Sequence, residues 1–138
     1  EGQKLAGLMG MDESSLEDLE KDKRRYDAAL AVLRDRTTSV FTLVLLPEKI
    51  PIAETRSAVT GLAYIGIPVQ ALVINQSILP EVIEGNVFLA ARAKLQAKYR
   101  EEIDAGFADF VRASLPLLDR DVSELSTLRH VGELLYGA

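Results

Sequence analysis

Residues 39–74 have the sequence SVFTLVLLPEKIPIAETRSAVTGLAYIGIPVQALVI, and the changes of hydrophobic period within this stretch decide the fold. The β-branched and apolar runs at 39–46 and 69–74 are typical of buried strands. Between them, residues 51–65 repeat apolar side chains with a helical period, begin with proline and stop before Gly66. A strand, a helix and a strand joined by short connections predict a parallel βαβ unit with a right-handed crossover.

The buried faces of the helices follow from the spacing of their apolar side chains. Further helices are predicted over residues 13–35, 81–105 and 125–136, and a third strand over residues 110–115. The helix 51–65 is expected to bury Thr55, Ala58, Val59 and Leu62. The stripe of the helix 13–35 contains Leu16, Leu19, Tyr26, Leu30 and Leu33. The apolar side of the helix 81–105 is formed by Phe88, Leu95, Tyr99 and Ile103. The last helix is expected to bury Leu125, Leu128, Leu134 and Leu135. The pattern predicts an α/β fold.

Composition narrows the class of protein. With 138 residues and 48% hydrophobic side chains, the chain is expected to form one domain with its own core. A net charge of −5 argues against nucleic-acid binding, and we find no membrane-spanning run and no signal peptide. The absence of cysteine excludes disulfides, thiolate zinc sites and a cysteine nucleophile. A cytoplasmic protein is therefore expected, and the start at Glu1 rather than at methionine suggests a piece of a longer chain.

Catalytic motifs are missing from this sequence. His130 is the only histidine, and no serine or cysteine accompanies it at the spacing of a catalytic motif. The carboxylates are spread over helices, and no glycine-rich loop is present to cradle phosphates and magnesium. We therefore predict no catalytic residue and no metal ligand in this chain.

Polar or turn-forming residues follow each of the three predicted strands. They are Pro47 and Glu48, then Asn75 and Gln76, and last the segment 116–121, PLLDRD. Ligands of parallel α/β sheets collect at the carboxyl ends of the strands. The amide of Asn75 can donate to and accept from a purine edge, or it can simply form a local turn, and spacing alone leaves both interpretations open.

Four stretches of the sequence occur in an order typical of one known family. The stretches are TTSVFTLVLLPEKIPIAETRSAV (37–59), GIPVQALVINQSILP (66–80), FLAARAKLQAKYREEIDAGF (88–107) and LPLLDRDVSELSTLRHVGELLYG (115–137). Together they resemble the C-terminal part of the ArsA-type anion-transporting ATPases. This family includes bacterial arsenical pump-driving ATPases and the eukaryotic ATPase that targets tail-anchored membrane proteins, and the bacterial branch is the nearer match.

The resemblance implies a partial P-loop NTPase-type parallel sheet with flanking helices, whose phosphate loop, catalytic Asp and switch regions lie upstream. It also implies a helical segment at residues 1–36 and an α/β segment at residues 37–138, within one compact domain overall. The implied nucleotide-binding residues are Glu48, Asn75, Pro116, Leu117, Leu118, Asp119, Arg120, Asp121, Val122 and Ser123. For Arg92, Gln96 and Tyr99, both a functional role and a role in holding the long helix to the sheet stay open.

The resemblance further implies a segment of an ATPase that couples ATP binding and hydrolysis to anion (arsenite) efflux or protein targeting. Such a segment contributes adenine recognition and dimer contacts, with Mg-ATP held mainly by the rest of the protein. The implied partners are a second copy of the chain and a membrane pump or a client protein. Because Ser123 and Glu124 stand where the family usually has Arg-Gly, a non-catalytic interaction or oligomerisation module that kept the fold is the alternative.

Overall fold

The computed structural model describes residues 13–137, with side chains from residue 16 onward. These residues fall into two compact units that meet between Ser39 and Val40. The resemblance implied a helical segment at residues 1–36 and an α/β segment at residues 37–138, and that division stays a prediction. That the two units form one compact domain stays a prediction.

The first unit contains helix α1, Glu13–Arg34, which confirms the helix predicted over residues 13–35. The helix ends where Asp35 accepts hydrogen bonds at Oδ1 from the backbone N and the Oγ1 of Thr37, both at 2.8 Å. These bonds, the one to the backbone N first, lower the pKa of Asp35. Ser39 Oγ donates to the Val32 carbonyl at 2.8 Å and completes the turn. The apolar stripe is largely exposed, with Tyr26 at 66%.

The second unit is built on a parallel sheet of three strands in the order β1-β2-β3. Its strands are β1 (Phe41–Leu45), β2 (Val69–Ser77) and β3 (Val111–Pro116). Its helices are α2 (Lys49–Tyr64), α3 (Val87–Gly106) and α4 (Leu125–Tyr136), with a 3-10 turn at Pro80–Val82. The predicted parallel βαβ unit is therefore confirmed, and the third strand extends it as a second parallel pair.

The core of this unit lies between the sheet and helices α2 and α3. It consists of Leu45, Ile52, Leu72, Ile74, Ile103 and Phe107. The Phe107 ring meets Phe110 edge-on, with centroids 5.7 Å apart, and the guanidinium of Arg56 lies 6.0 Å from its centroid. Burial of these side chains fixes α3 against the central strand, and so fixes which α3 residues reach the carboxyl ends of the strands.

Strand β1 is half-buried, which corrects the expectation of a fully buried strand. Its burial alternates along the chain, and Val44 is 64% exposed while Leu45 is 4% exposed. Helix α2 supplies the cover on one face through Ile52 and Thr55, whereas Ala58, predicted to be buried, is exposed. The run looked doubly buried because its outward positions are also apolar. An apolar residue can stay at the surface, so composition did not reveal the alternation.

The inward face of α3 also differs from the predicted one. Phe88 is 71% exposed and Leu95 is 45% exposed, whereas Ile103 and the polar Gln96 are buried. The helix begins at Val87 rather than near residue 81, because a 3-10 turn at Pro80–Val82 comes first. Asn86 caps the helix: its Oδ1 accepts from the Leu89 N–H at 3.0 Å. The prediction is confirmed for Ile103 and Tyr99, which lie in or against the core, and it is wrong for Phe88 and Leu95. Gln96 was left out of the predicted side because that prediction admitted only apolar side chains.

The predicted buried set of α4 is wrong as well. Leu125 is 77% exposed, Leu128 is 56% exposed and Leu134 is 39% exposed, so only Leu135 of the four is partly buried. The helix contacts β3, and its periodic apolar residues exceed what that one contact covers. An amphipathic period shows which residues share a helix face, but it does not show that the face is covered.

Candidate functional site

The carboxyl end of the central strand β2 carries a β-bulge. Ile74 pairs with Ser114 and Ser77 pairs with Pro116. The chain therefore takes three steps along β2 and only two along β3, which leaves Asn75 and Gln76 together opposite Leu115. Gln76 has φ 55°, in the left-handed region that a non-glycine residue rarely adopts. Bulges of this kind redirect side chains and occur next to binding sites.

Gln96 of α3 holds the bulge. Its side chain is 8% exposed, Nε2 donates to the Gln76 carbonyl at 3.0 Å and Oε1 accepts from the Ile78 N–H at 2.9 Å. The Ser77 carbonyl accepts from the Leu117 N–H at 2.9 Å. At the bulge, the Gln76 carbonyl and the Ile78 N–H are therefore paired with one buried amide, which offsets the cost of burying them.

Asn75 and the loop after β3 line one cleft of about 360 Å³. Its lining consists of Asn75, Gln76, Pro116, Leu117, Leu118, Asp119, Arg120, Asp121 and Val122. The structure therefore brings together the strand-end amide and the loop singled out from the sequence, as the neighbouring carboxyl ends of parallel strands require. Ser123 lies outside this lining, and its N–H donates to the Asp121 carbonyl at 3.0 Å and closes the loop.

The amide of Asn75 has a defined orientation. Its Oδ1 accepts from the Gln76 N–H at 2.9 Å, which is the local contact that the turn interpretation anticipates. Among the residues that the structure describes, none accepts a hydrogen bond from Nδ2. The oxygen keeps a second lone pair, so the amide still offers one donor and one acceptor side by side. That pair matches an adenine edge, which presents an amino donor beside a ring-nitrogen acceptor.

One ion pair lies within the loop itself, between Arg120 and Asp119. Arg120 donates from Nε to Asp119 Oδ1 and from Nη2 to Asp119 Oδ2, both at 3.0 Å. These hydrogen bonds, followed by the charge attraction, lower the pKa of Asp119 and raise the pKa of Arg120. Across the described residues there is no group of three or more His, Cys, Asp or Glu side chains that could hold a metal ion. The donor set fits a neutral heterocycle, and it does not fit magnesium with a polyphosphate.

Glu48 lies in an adjacent cleft of about 240 Å³, which shares Gln76 and Leu117 with the first. Its Oε1 accepts from Nη2 of Arg92, and both side chains remain about two-fifths exposed. The structure thus places Glu48 next to the Asn75 cleft rather than inside it. Tyr99, by contrast, packs against the core.

For Gln96 the sequence left open a role in holding the long helix to the sheet, and its bonds to Gln76 and Ile78 are contacts of that kind. The positive φ of Gln76 was missed. A positive φ at a glutamine has no sequence signature, since glycine or asparagine is the usual residue there. For Gln96 a signal existed: a polar residue recurs at a helix position four residues after Arg92 and seven before Ile103, on the same face.

Comparison with known proteins decides the family. Residues 2–137 match the family described as anion-transporting ATPase. The chain belongs to the anion-transporting ATPase family. The match to this ATPase family includes residues 2–36, beyond the stretch from 37 to 137 that carried the resemblance, and the three-stranded parallel sheet is consistent with a fragment of a P-loop NTPase fold.

Curated relatives in this family come from several branches. The chain is 35% identical over 132 residues to a protein of Aquifex aeolicus that bears the name arsenical pump-driving ATPase 2, covering 96% of the chain and 42% of that protein. It is 36% identical over 92 residues to ATPase ARSA2 of Chlamydomonas reinhardtii, covering 67% of the chain and 25% of that protein. It is 28% identical over 120 residues to ATPase GET3 of Chaetomium globosum, covering 87% of the chain and 35% of that protein. The chain therefore spans less than half the length of these relatives.

Within residues 13–137, no helix combines the length and the apolar character needed to cross a bilayer.

Proposed function

We propose that this chain is the adenine-recognising segment of a longer ATPase that couples ATP binding and hydrolysis to a change of conformation. The observation that carries the proposal is the shared cleft, in which the amide of Asn75 faces the loop after β3. Family membership supports an ATPase-type function, and the relatives' greater length leaves room for the phosphate-binding part elsewhere in the parent protein.

In this proposal different residues bind different parts of the nucleotide. Asn75 accepts from the adenine amino group and donates to a ring nitrogen. Leu117 and Val122, which are 48% and 49% exposed, cover the faces of the base and lose that exposure when it binds. Glu48 lies toward the ribose or toward a second copy of the chain. Magnesium and the phosphates are held by the parent protein outside this chain, and bound there the metal stabilises the charge that develops during phosphoryl transfer.

The finer assignments are proposals of the same kind. The parent protein is proposed to act as a homodimer in the cytoplasm, with either a membrane pump or a client protein as its partner. Arsenite or another anion is the proposed cargo in the first case, and a protein is the cargo in the second. The names of the relatives do not separate these two cases. One relative carries the arsenical-pump name, and others carry the names of GET3-type and ASNA1-type ATPases.

The test is the substitution Asn75→Ala in the full-length parent protein, with ADP affinity measured by calorimetry. Loss of one donor and one acceptor is expected to weaken ADP binding by about 1–3 kcal/mol, which is about 5- to 150-fold in Kd. Asn86→Ala is the matched control, because Asn86 uses its amide only to cap α3, at the Leu89 N–H. Its ADP affinity is expected to equal that of the wild type. Unchanged affinity in Asn75→Ala would sink the assignment of Asn75.

A second candidate function is a non-catalytic interaction module. It is favoured by the exposed apolar side of α4, where Leu125 and Leu128 are 77% and 56% exposed. The parent protein's ADP binding separates the two candidates: adenine-dependent binding supports the ATPase, whereas a parent protein that binds a partner through α4 but binds no nucleotide supports the module.

A further inference from the structure

We propose that Gln96 is a positioning residue that fixes the orientation of the Asn75 amide through the backbone of Gln76, so that the cleft selects 6-amino over 6-oxo purines. The proposal rests on the proposed function and names the basis of its base specificity. It follows three contacts that run in sequence from the interior of the unit to the cleft.

The first contact is between α3 and the bulge. Gln96 is buried and uses both ends of its amide, donating to the Gln76 carbonyl at 3.0 Å and accepting from the Ile78 N–H at 2.9 Å. The glutamine amide supplies the donor and the acceptor together. Methionine has a similar shape and makes neither bond, and glutamate accepts but cannot donate. The two variants therefore remove the contact in distinguishable ways.

The second contact lies within the bulge. Gln76 has φ 55°, a conformation that persists only where the surroundings hold it. In that conformation its N–H points at Asn75 Oδ1, 2.9 Å away. Turning the Asn75 amide over would place its NH₂ group against this N–H, and two donors repel. The oxygen of Asn75 is therefore held toward Gln76, and the nitrogen is held on the other side.

The third contact is the one to the base. Adenine presents an amino donor at C6 beside the N1 acceptor, whereas hypoxanthine presents a carbonyl acceptor at C6 beside an N1–H donor. An amide that turns freely pairs with either pattern by exchanging its two ends. A fixed amide pairs with one and opposes the other, which is specificity built partly from repulsion. Fixing the amide therefore changes the affinity for adenine relative to that for hypoxanthine, and not only the affinity for both.

The experiment uses the full-length parent protein with ADP and IDP as probes, which differ only at the C6 substituent and N1. The measured quantity is the Kd of IDP divided by the Kd of ADP. The wild type is expected to prefer ADP, and Asn75→Ala is expected to lose the preference. Gln96→Met is expected to lower the ratio by about fivefold, the effect of one hydrogen bond. Gln96→Glu is expected to lower it as well, because the bond to the Gln76 carbonyl is lost.

Arg56→Met is the matched control. Arg56 also ties α2 to α3, through Glu102 at 3.1 Å and the Phe107 ring, but it lies outside the linings of both clefts. It is expected to lose stability and keep the wild-type ratio. In the double variant Asn75→Ala with Gln96→Met, the ratio is expected to equal that of Asn75→Ala alone, since Gln96 acts only through Asn75.

Each other result has a definite meaning. If Gln96→Met and Gln96→Glu weaken ADP and IDP equally, Gln96 has a structural role only and the positioning proposal is overturned. If the preference is lost in Asn75→Ala but kept in both Gln96 variants, the proposed function stands and this inference fails. If the wild type binds neither nucleotide, the proposed function fails and the inference fails with it. Should Gln96→Met not fold, the Gln96→Glu ratio decides alone.

Discussion

Ile103→Ala tests whether the second half of the predicted apolar side of α3 carries the stability of the α/β unit. Ile103 is 0% exposed in the core, and the substitution deletes three carbon atoms there. At about 0.8 kcal/mol per methylene, the transfer contribution is about 2.4 kcal/mol. An incompletely collapsed cavity adds roughly 1 kcal/mol, and the better helix propensity of alanine returns about 0.4 kcal/mol. The expected loss is therefore about 3 kcal/mol, measured by urea unfolding of the chain followed by circular dichroism.

Leu95→Ala is the matched comparison on the same helix. Leu95 is 45% exposed and removes the same number of carbon atoms, so its loss is expected to stay near 1 kcal/mol. The refuting result is equal destabilisation by the two substitutions, or a larger effect of Leu95→Ala. Either would show that Leu95, in the first half of the predicted apolar side, is packed as closely as Ile103 in the second half.

Two further predictions concern the bulge and the loop. Gln76→Gly is expected to raise the free energy of unfolding by up to about 1 kcal/mol, because glycine adopts φ 55° without the steric cost of a Cβ; a lower urea midpoint than wild type would contradict this. Asp119 is expected to titrate below its ordinary pKa in an NMR pH series, and Arg120→Gln is expected to return it toward that value. Because the pKa of Asp119 is lower in the folded protein than in the unfolded chain, any stability that the Asp119–Arg120 pair contributes is present above the ordinary carboxyl pKa. It is lost as the pH falls through the folded-state pKa. A pKa of Asp119 that is equal in the wild type and in Arg120→Gln would count against the hydrogen bonds.

Much of the fold follows from local sequence signals, and the strand-end residues follow with it. Changes of period and the Gly66–Pro68 break fixed the βαβ unit, and parallel topology then placed Asn75 and the loop from Pro116 at one edge. These inferences succeeded because they depend on local backbone preferences and on one topological rule.

The remainder depends on contacts between distant residues. Burial of Gln96 is favourable only because the Gln76 carbonyl and the Ile78 N–H, some twenty residues earlier, satisfy its amide. Without those partners in view, a polar residue is assigned to solvent. In the same way, the exposure of Leu125 on α4 depends on what covers the helix and not on the helix itself.

The bulge depends on a single extra residue in β2. Three backbone steps on β2 stand against two on β3, so deletion of a single residue between Ile74 and Ser77 would equalise the count and let the ladder run uninterrupted. Such a deletion would also shift the Gln76 carbonyl and the Ile78 N–H away from Gln96 and leave a buried amide without its partners. The extra residue of β2 and the buried glutamine of α3 therefore depend on each other.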